Sequence, residues 1–219
     1  MDVEKIIYGI AVWAIPVLFA ITLHEVAHGW VANKLGDGTA RMLGRLSLNP
    51  IKHIDPVGTI LVPLVLLITA TLAGVSPFLF GWAKPVPVNS RNFKKPRQNM
   101  AIVAVAGPIA NIIMAILWVG FLYVMLLFVE DSPLRSGLVQ MASAGVFINI
   151  LLFAFNLIPI PPLDGGRVLS GFVPASVSDM LDKIEPYGFF IVIGLVYMGF
   201  FQPILMPIIT AFYRLFGLA

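Results

Sequence analysis

No charged side chain lies between Lys5 and His24. A stretch of that length, apolar on every face, cannot be the amphipathic helix of a soluble domain; its solvent is hydrocarbon. In hydrocarbon each backbone N–H and C=O must be paired within the segment, so the stretch is a helix. It runs into His24-Glu25-Val26-Ala27-His28. Residues four apart share one helix face, so His24 and His28 point to the same place. Two imidazoles on one face can hold a zinc ion, and the carboxylate beside the first can act as base toward a water there. Ionisable side chains are costly at membrane depth and mark sites, which weighs against two histidines that only satisfy packing. Chance is also a poor explanation in a chain with 3 histidines among 219 residues.

The rest of the chain repeats this chemistry. It is 59% hydrophobic and 11% charged, with a mean hydropathy of +0.95, whereas about a quarter of a soluble domain is charged. The fold class is an all-α polytopic membrane protein, read as one membrane-embedded domain over residues 1–219. Without cysteine there is no disulfide framework, thiolate metal site or cysteine nucleophile. The net charge of +3 is clustered in connectors and suits a membrane face, not nucleic acid. No polar stretch is long enough for a folded extramembrane sensor or peptide-binding domain. The segment Met1-Asp2-Val3-Glu4-Lys5 lacks the basic start of a signal peptide, so the first span is expected to be retained.

Apolar spans are expected over about 4–34, with Pro16 a bend, 98–129, 136–158 and 187–213, and a charged surface segment over 179–185. Residues 45–50 alternate weakly and could form a short strand; the prolines of Lys84-Pro85-Val86-Pro87-Val88-Asn89 favour an extended segment. Residues 57–83 are uncharged but interrupted by Pro63, Gly74 and Pro77. The connectors 34–52 and 84–97 are both rich in Lys and Arg, which places both in the cytoplasm. A single crossing by 57–83 would separate them, so a re-entrant hairpin is the better reading. The count is then four full spans plus a hairpin, with five or six spans as the alternative.

A catalytic zinc site takes three protein ligands. His53, in a polar connector, reads as a surface or interfacial histidine. Asp164 is the better third ligand: Pro159, Pro161 and Pro162 break the helix before it, and Gly165-Gly166 permit a tight turn after it. The competing role for Asp164 is a helix N-cap. Asn156 suits either an interhelical hydrogen bond or contact with substrate or an oxyanion. Asn111 suits the same two roles, with packing favoured, because Gly107 and Ala110 fit close helix approach.

With these residues in view, the chain resembles the site-2 protease family of intramembrane zinc metalloproteases. The resemblance rests on His24-Glu25-x-x-His28, on Gly107-Pro108-x-x-Asn111, and on Asn156-x-x-Pro159-x-x-x-Leu163-Asp164-Gly165. The segment 81–89 is similar to one in the compact prokaryotic branch without appended regulatory domains. The resemblance implies one zinc ion on His24, His28 and Asp164, Glu25 as base, and Asn156 at the substrate or oxyanion. It implies a transmembrane, single-pass protein substrate in the lipid bilayer, cut from the cytoplasmic side of the cell membrane, with extended segments pairing with the unwound substrate. The stretch 57–83 departs from many members. The rival from another class is a membrane zinc-binding or zinc-transport protein, which would not need Glu25 between two ligands. Oligomeric state is not readable.

Overall fold

The computed structural model describes residues 3–74 and 81–218. Eight α-helices follow in chain order: α1 (Val3–Lys34), α2 (Thr39–Met42), α3 (Val62–Ala73), α4 (Pro96–Phe128), α5 (Pro133–Asn156), α6 (Asp164–Phe172), α7 (Ala175–Tyr197) and α8 (Gln202–Leu215). Short helical turns at Pro50–His53 and Ser90–Asn92 and a wider turn at Pro56–Leu61 complete the set. Starts are written locally. Pro56 and Pro133 sit where a missing N–H costs nothing, and the side chains of Asp55 and Ser132 accept the first free N–H groups.

Among the described residues three helices are long and apolar enough to cross a membrane, α1 from Ile7, α4 and α5, and the bent pair α7 and α8 would make a fourth span if the two cross as one. Their outward faces carry Ile10, Trp13, Phe19, Ile113, Leu117 and other large apolar side chains left exposed by the protein, as a lipid solvent requires. Inside, α4 is the central helix and packs on α1, α5 and α6. The contact is lined by small residues, among them Ala104, Ala115, Ala142 and Ala144, which let backbones approach closely where lipid supplies no hydrophobic drive. Further along, Ala115, Val146, Ile150 and Ile209 form a core against α8. Pro16 is enclosed within α1.

The two described ends of the stretch 57–83 lie side by side. Trp82 N–H donates to the Gly58 carbonyl at 3.1 Å, and Lys84 N–H to the His53 carbonyl at 3.0 Å. Thr59 Oγ1 donates to the Trp82 carbonyl at 2.7 Å. The two basic connectors are likewise tied to each other, since Arg45 donates to the Lys84 carbonyl at 2.9 Å. Both described ends of the stretch thus lie together, which is what the re-entrant reading expects; residues 75–80, with Pro77, lie outside the described residues.

Two expectations are corrected. The span expected over 187–213 is two helices, α7 and α8, bent by 78°, because Gly199 between them takes φ +72° and ends the first helix. The charged segment 179–185 is at the surface as expected, carried on the first half of α7, where Arg97 meets Asp179 and Arg167 meets Glu185. Residues 45–49 form no strand, and there is none among the described residues: no neighbouring edge is offered, and Arg45 pairs through its side chain instead.

Asp37 fastens the connector regions together. It is fully buried and accepts from Asn89 N at 2.7 Å, Asn92 Nδ2 at 2.7 Å and Thr39 N at 3.1 Å. Burial alone would push its carboxyl up, but the hydrogen bonds from Thr39, Asn89 and Asn92 outweigh it and hold the group below its ordinary value. A lowered pKa means that the stabilisation is fully present above the ordinary value, about 3.9, and is lost as pH falls from there through the lowered value of the folded protein. Asp37→Asn is therefore expected to cost about 1–3 kcal/mol at neutral pH, with the gap to wild type closing in acid, as read by thermal unfolding across pH. Topology is checked by cysteine labelling in this cysteine-free chain. Cysteines at the exposed positions Met42 and Lys94 are expected to react from one side of the membrane and a cysteine at Leu134 from the other; reaction of Met42 and Lys94 from opposite sides would mean that 57–83 crosses.

Candidate metal centre

His24 and His28 come from α1, and Asp164 opens α6. The turn that delivers Asp164 depends on the glycines after it: a Cβ on Gly166 would lie 2.5 Å from the Pro161 nitrogen. The tight turn read from Gly165-Gly166 is present. Asp164 is not a cap. Leu163 occupies that position and no side-chain cap bond is made. Its carboxylate turns inward to the histidines.

The three side chains present three atoms to one another. His24 Nε2 and His28 Nε2 are 3.0 Å apart, and Asp164 Oδ2 lies 3.1 Å from the first and 3.3 Å from the second. His24 and Asp164 are buried, and Asp164 Oδ2 has no hydrogen-bond donor. The other ring nitrogens explain why. His28 Nδ1 faces the Val103 carbonyl at 2.7 Å, and His24 Nδ1 faces Asn111 Oδ1 at 2.6 Å. Each Nδ1 therefore carries the proton and each Nε2 a lone pair. Two lone pairs and a carboxylate oxygen converge with no proton between them. Tetrahedral ligands 2.0–2.1 Å from a zinc ion stand about 3.3 Å apart, close to the triangle found here. The residues fit zinc.

Helix α4 frames this triangle. A Cβ on Gly107 would sit 2.6 Å from His24 Cε1 and Nε2 and closer still to His28 Nε2, so only glycine leaves room for the imidazoles. Pro108, enclosed one residue on, lacks the N–H that would close the preceding turn and loosens α4 there. The carbonyl left without that donor is that of Ala104, and the acceptor for His28 is the adjacent Val103 carbonyl. Asn111, expected to serve packing, holds His24 directly and also donates to the Ala20 carbonyl at 3.2 Å and Asn149 Oδ1 at 3.0 Å. Asn149 was not visible as a site neighbour in the sequence; its only signal is its place one face of α5 toward α4.

Glu25 sits beside the triangle. Its Oε2 accepts the Val86 N–H at 2.7 Å, which brings the extended segment 81–89 against the site. Asn156 is half-buried and its amide donates to the Leu152 carbonyl of its own helix at 2.9 Å, not to the triangle. His53 is a correction: it is buried, not superficial. Its Nε2 bonds the Ser47 carbonyl at 2.8 Å, because the connector folds back over it, and it does not join the group of potential ligands.

A helical membrane protein with a His-His-Asp centre and an adjacent glutamate has the donor set of a metallohydrolase. The model of peptidase family M50 matches residues 124–198, which include Asn156 and Asp164. YwhC of Bacillus subtilis, which carries a zinc-metalloprotease name, is 41% identical over 201 residues, covering 90% of this chain and 85% of that one. Rip2 of Mycolicibacterium smegmatis, also named as a zinc metalloprotease, is 28% identical over 180 residues, 81% of this chain and 63% of its own. RasP of Bacillus subtilis, named regulator of sigma-W protease, is 34% identical over 68 residues, 31% of this chain and 16% of its own. No solved structure matches. The chain belongs to peptidase family M50, the site-2 protease family, and is a zinc metalloprotease.

Gly107→Ala tests the packing of the centre. Its methyl group would push both imidazoles off the triangle, so zinc affinity is expected to fall at least tenfold while the helical circular dichroism is kept; chelator competition reads the loss.

Proposed function

We propose that this chain holds one zinc ion on His24 Nε2, His28 Nε2 and Asp164 and hydrolyses a peptide bond in, or at the edge of, a transmembrane helix of a single-pass membrane protein. The observation that carries the reading is the triangle of acceptor atoms, with both Nδ1 protons already committed elsewhere. When bound, zinc supplies Lewis acidity, lowering the pKa of an adjacent water from about 15.7 toward about 7 and polarising a carbonyl.

Glu25 is the base. It takes a proton from the attacking water and gives it to the leaving amine nitrogen. Val86 N–H fixes one carboxylate oxygen of Glu25 and leaves the other for this transfer. Asn156 has a second amide hydrogen beyond the one given to Leu152, and that hydrogen is the donor offered to the substrate oxyanion. The substrate helix must unwind first, because its peptide bonds are shielded by their own hydrogen bonds; helix breakers within it lower that cost. The extended segment 81–89, next to Glu25, is where an unwound substrate would pair.

The domain is read as one membrane-embedded unit in the cell membrane. The basic connectors put the site on the cytoplasmic side, so cleavage releases a substrate portion into the cytoplasm, the logic of regulated intramembrane proteolysis.

Two variants test this. Glu25→Gln is expected to keep zinc and lose about 10²–10⁴-fold in cleavage of a model transmembrane peptide in detergent. Asp164→Asn, similar in shape but a poor ligand, is expected to stay folded and lose zinc and cleavage together. Wild-type cleavage by Glu25→Gln, or normal zinc in Asp164→Asn, would overturn the assignment.

A further inference from the structure

We propose that Asn149 is a positioning residue for the metal centre: through Asn111 it holds His24 in the tautomer whose Nε2 lone pair faces the triangle. The proposal rests on the reading of His24 as a zinc ligand.

Asn111 and Asn149 are both fully buried and join α1, α4 and α5. The path runs from His24 Nδ1 to Asn111 Oδ1 at 2.6 Å, from Asn111 Nδ2 to Asn149 Oδ1 at 3.0 Å, and from Asn149 Nδ2 to the Gly145 carbonyl at 2.8 Å. An amide turned end for end swaps donor and acceptor at nearly the same positions. What decides its sense is the far end of the path. The Gly145 carbonyl can only accept, so Asn149 presents NH₂ to it and oxygen to Asn111. Asn111 must then present NH₂ to Asn149. The Ala20 carbonyl favours the same sense through a longer contact, 3.2 Å, and Asn149 is the closer of the two acceptors. That leaves the Asn111 oxygen for His24, and an acceptor there keeps the proton on Nδ1.

The reverse sense has a specific consequence. An NH₂ group facing His24 would make Nδ1 the acceptor and move the proton to Nε2. From there the proton would point at Asp164 Oδ2, 3.1 Å away, and the centre would satisfy its own acceptor with a hydrogen that zinc must displace. His28 needs no such relay, because its Nδ1 faces a backbone carbonyl directly. The two ligand histidines are thus fixed by different means, and only that of His24 can be edited by a side-chain change two residues removed.

An asparagine between membrane helices is otherwise explained as an interhelical hydrogen bond that adds stability. The experiment separates the two. Full-length protein labelled with ¹⁵N-histidine is purified in detergent; with 3 histidines in the chain, the ring nitrogens of His24 can be followed. Asn149→Ser keeps the bond to the Gly145 carbonyl, which serine makes to the residue four back, but is too short to reach Asn111. Asn149→Leu fills the space and removes both bonds. In metal-free protein, wild-type His24 is expected as the Nδ1–H tautomer, and both variants are expected to populate Nε2–H. Zinc affinity by chelator competition is expected to weaken about tenfold in each, and Asn149→Ser is expected to add no further loss in an Asn111→Leu background. An unchanged tautomer and affinity in whichever variant folds, or losses that simply add in the double variant, would overturn the proposal, whatever the melting temperature does. If wild-type protein bound no zinc, the ligand reading of His24 would fall, while the tautomer signal would still decide the relay.

Discussion

Three electron-pair atoms within 3.3 Å of one another, in a low-dielectric interior, are the constraint on which the structure turns. Nothing but a cation satisfies all three at once, because both imidazole protons face outward to Asn111 and Val103. The arrangement dictates the packing around it. Helix α4 must come close enough to accept both protons, and glycine at 107 is what permits that approach. The turn before α6 must be tight enough to bring a carboxylate to the free side, and Gly165 and Gly166 let it press on the backbone of residues 157–161. Central α4, in contact with α1, α5 and α6, follows from these demands.

A second set of contacts places extended backbone beside the catalytic glutamate proposed here. Buried Asp37 gathers residues 89 and 92 to the end of α1, and Arg45 holds the carbonyls of Lys84 and Pro85. Between those anchors Val86 reaches Glu25. The two described ends of 57–83 meet through Gly58 and Trp82, which sets the start of the segment 81–89 beside the connector that precedes it. Backbone that is not helical is tolerated at this level only against protein or water, and here it lies against both connectors and α1.

Sequence reached the parts of this arrangement that are local. Four-residue spacing put His24 and His28 on one face, and the proline-broken, glycine-followed setting of Asp164 marked it as a turn residue aimed inward. The shared Lys and Arg richness of both connectors was enough to argue for a hairpin over 57–83. What it missed depends on contacts between distant segments. Asn111 reads as a packing residue until α4 is placed against α1, and Asn149 has no signal at all without the α4–α5 pairing. His53 lies in a polar connector, yet the chain folds over it and buries it. The break between α7 and α8 rests on one residue, Gly199, within an apolar run whose composition does not change. Asn156 suits an interhelical hydrogen bond or a substrate contact by sequence; its amide is turned to its own helix, at the Leu152 carbonyl.

The most direct test of the central claim is X-ray absorption at the zinc edge on purified, zinc-loaded protein in detergent. The account predicts one zinc per chain with a purely nitrogen and oxygen shell at about 2.0–2.1 Å and the outer-shell scattering of two imidazoles. Less than one tightly bound zinc, or a shell that requires one or three imidazoles, would contradict it.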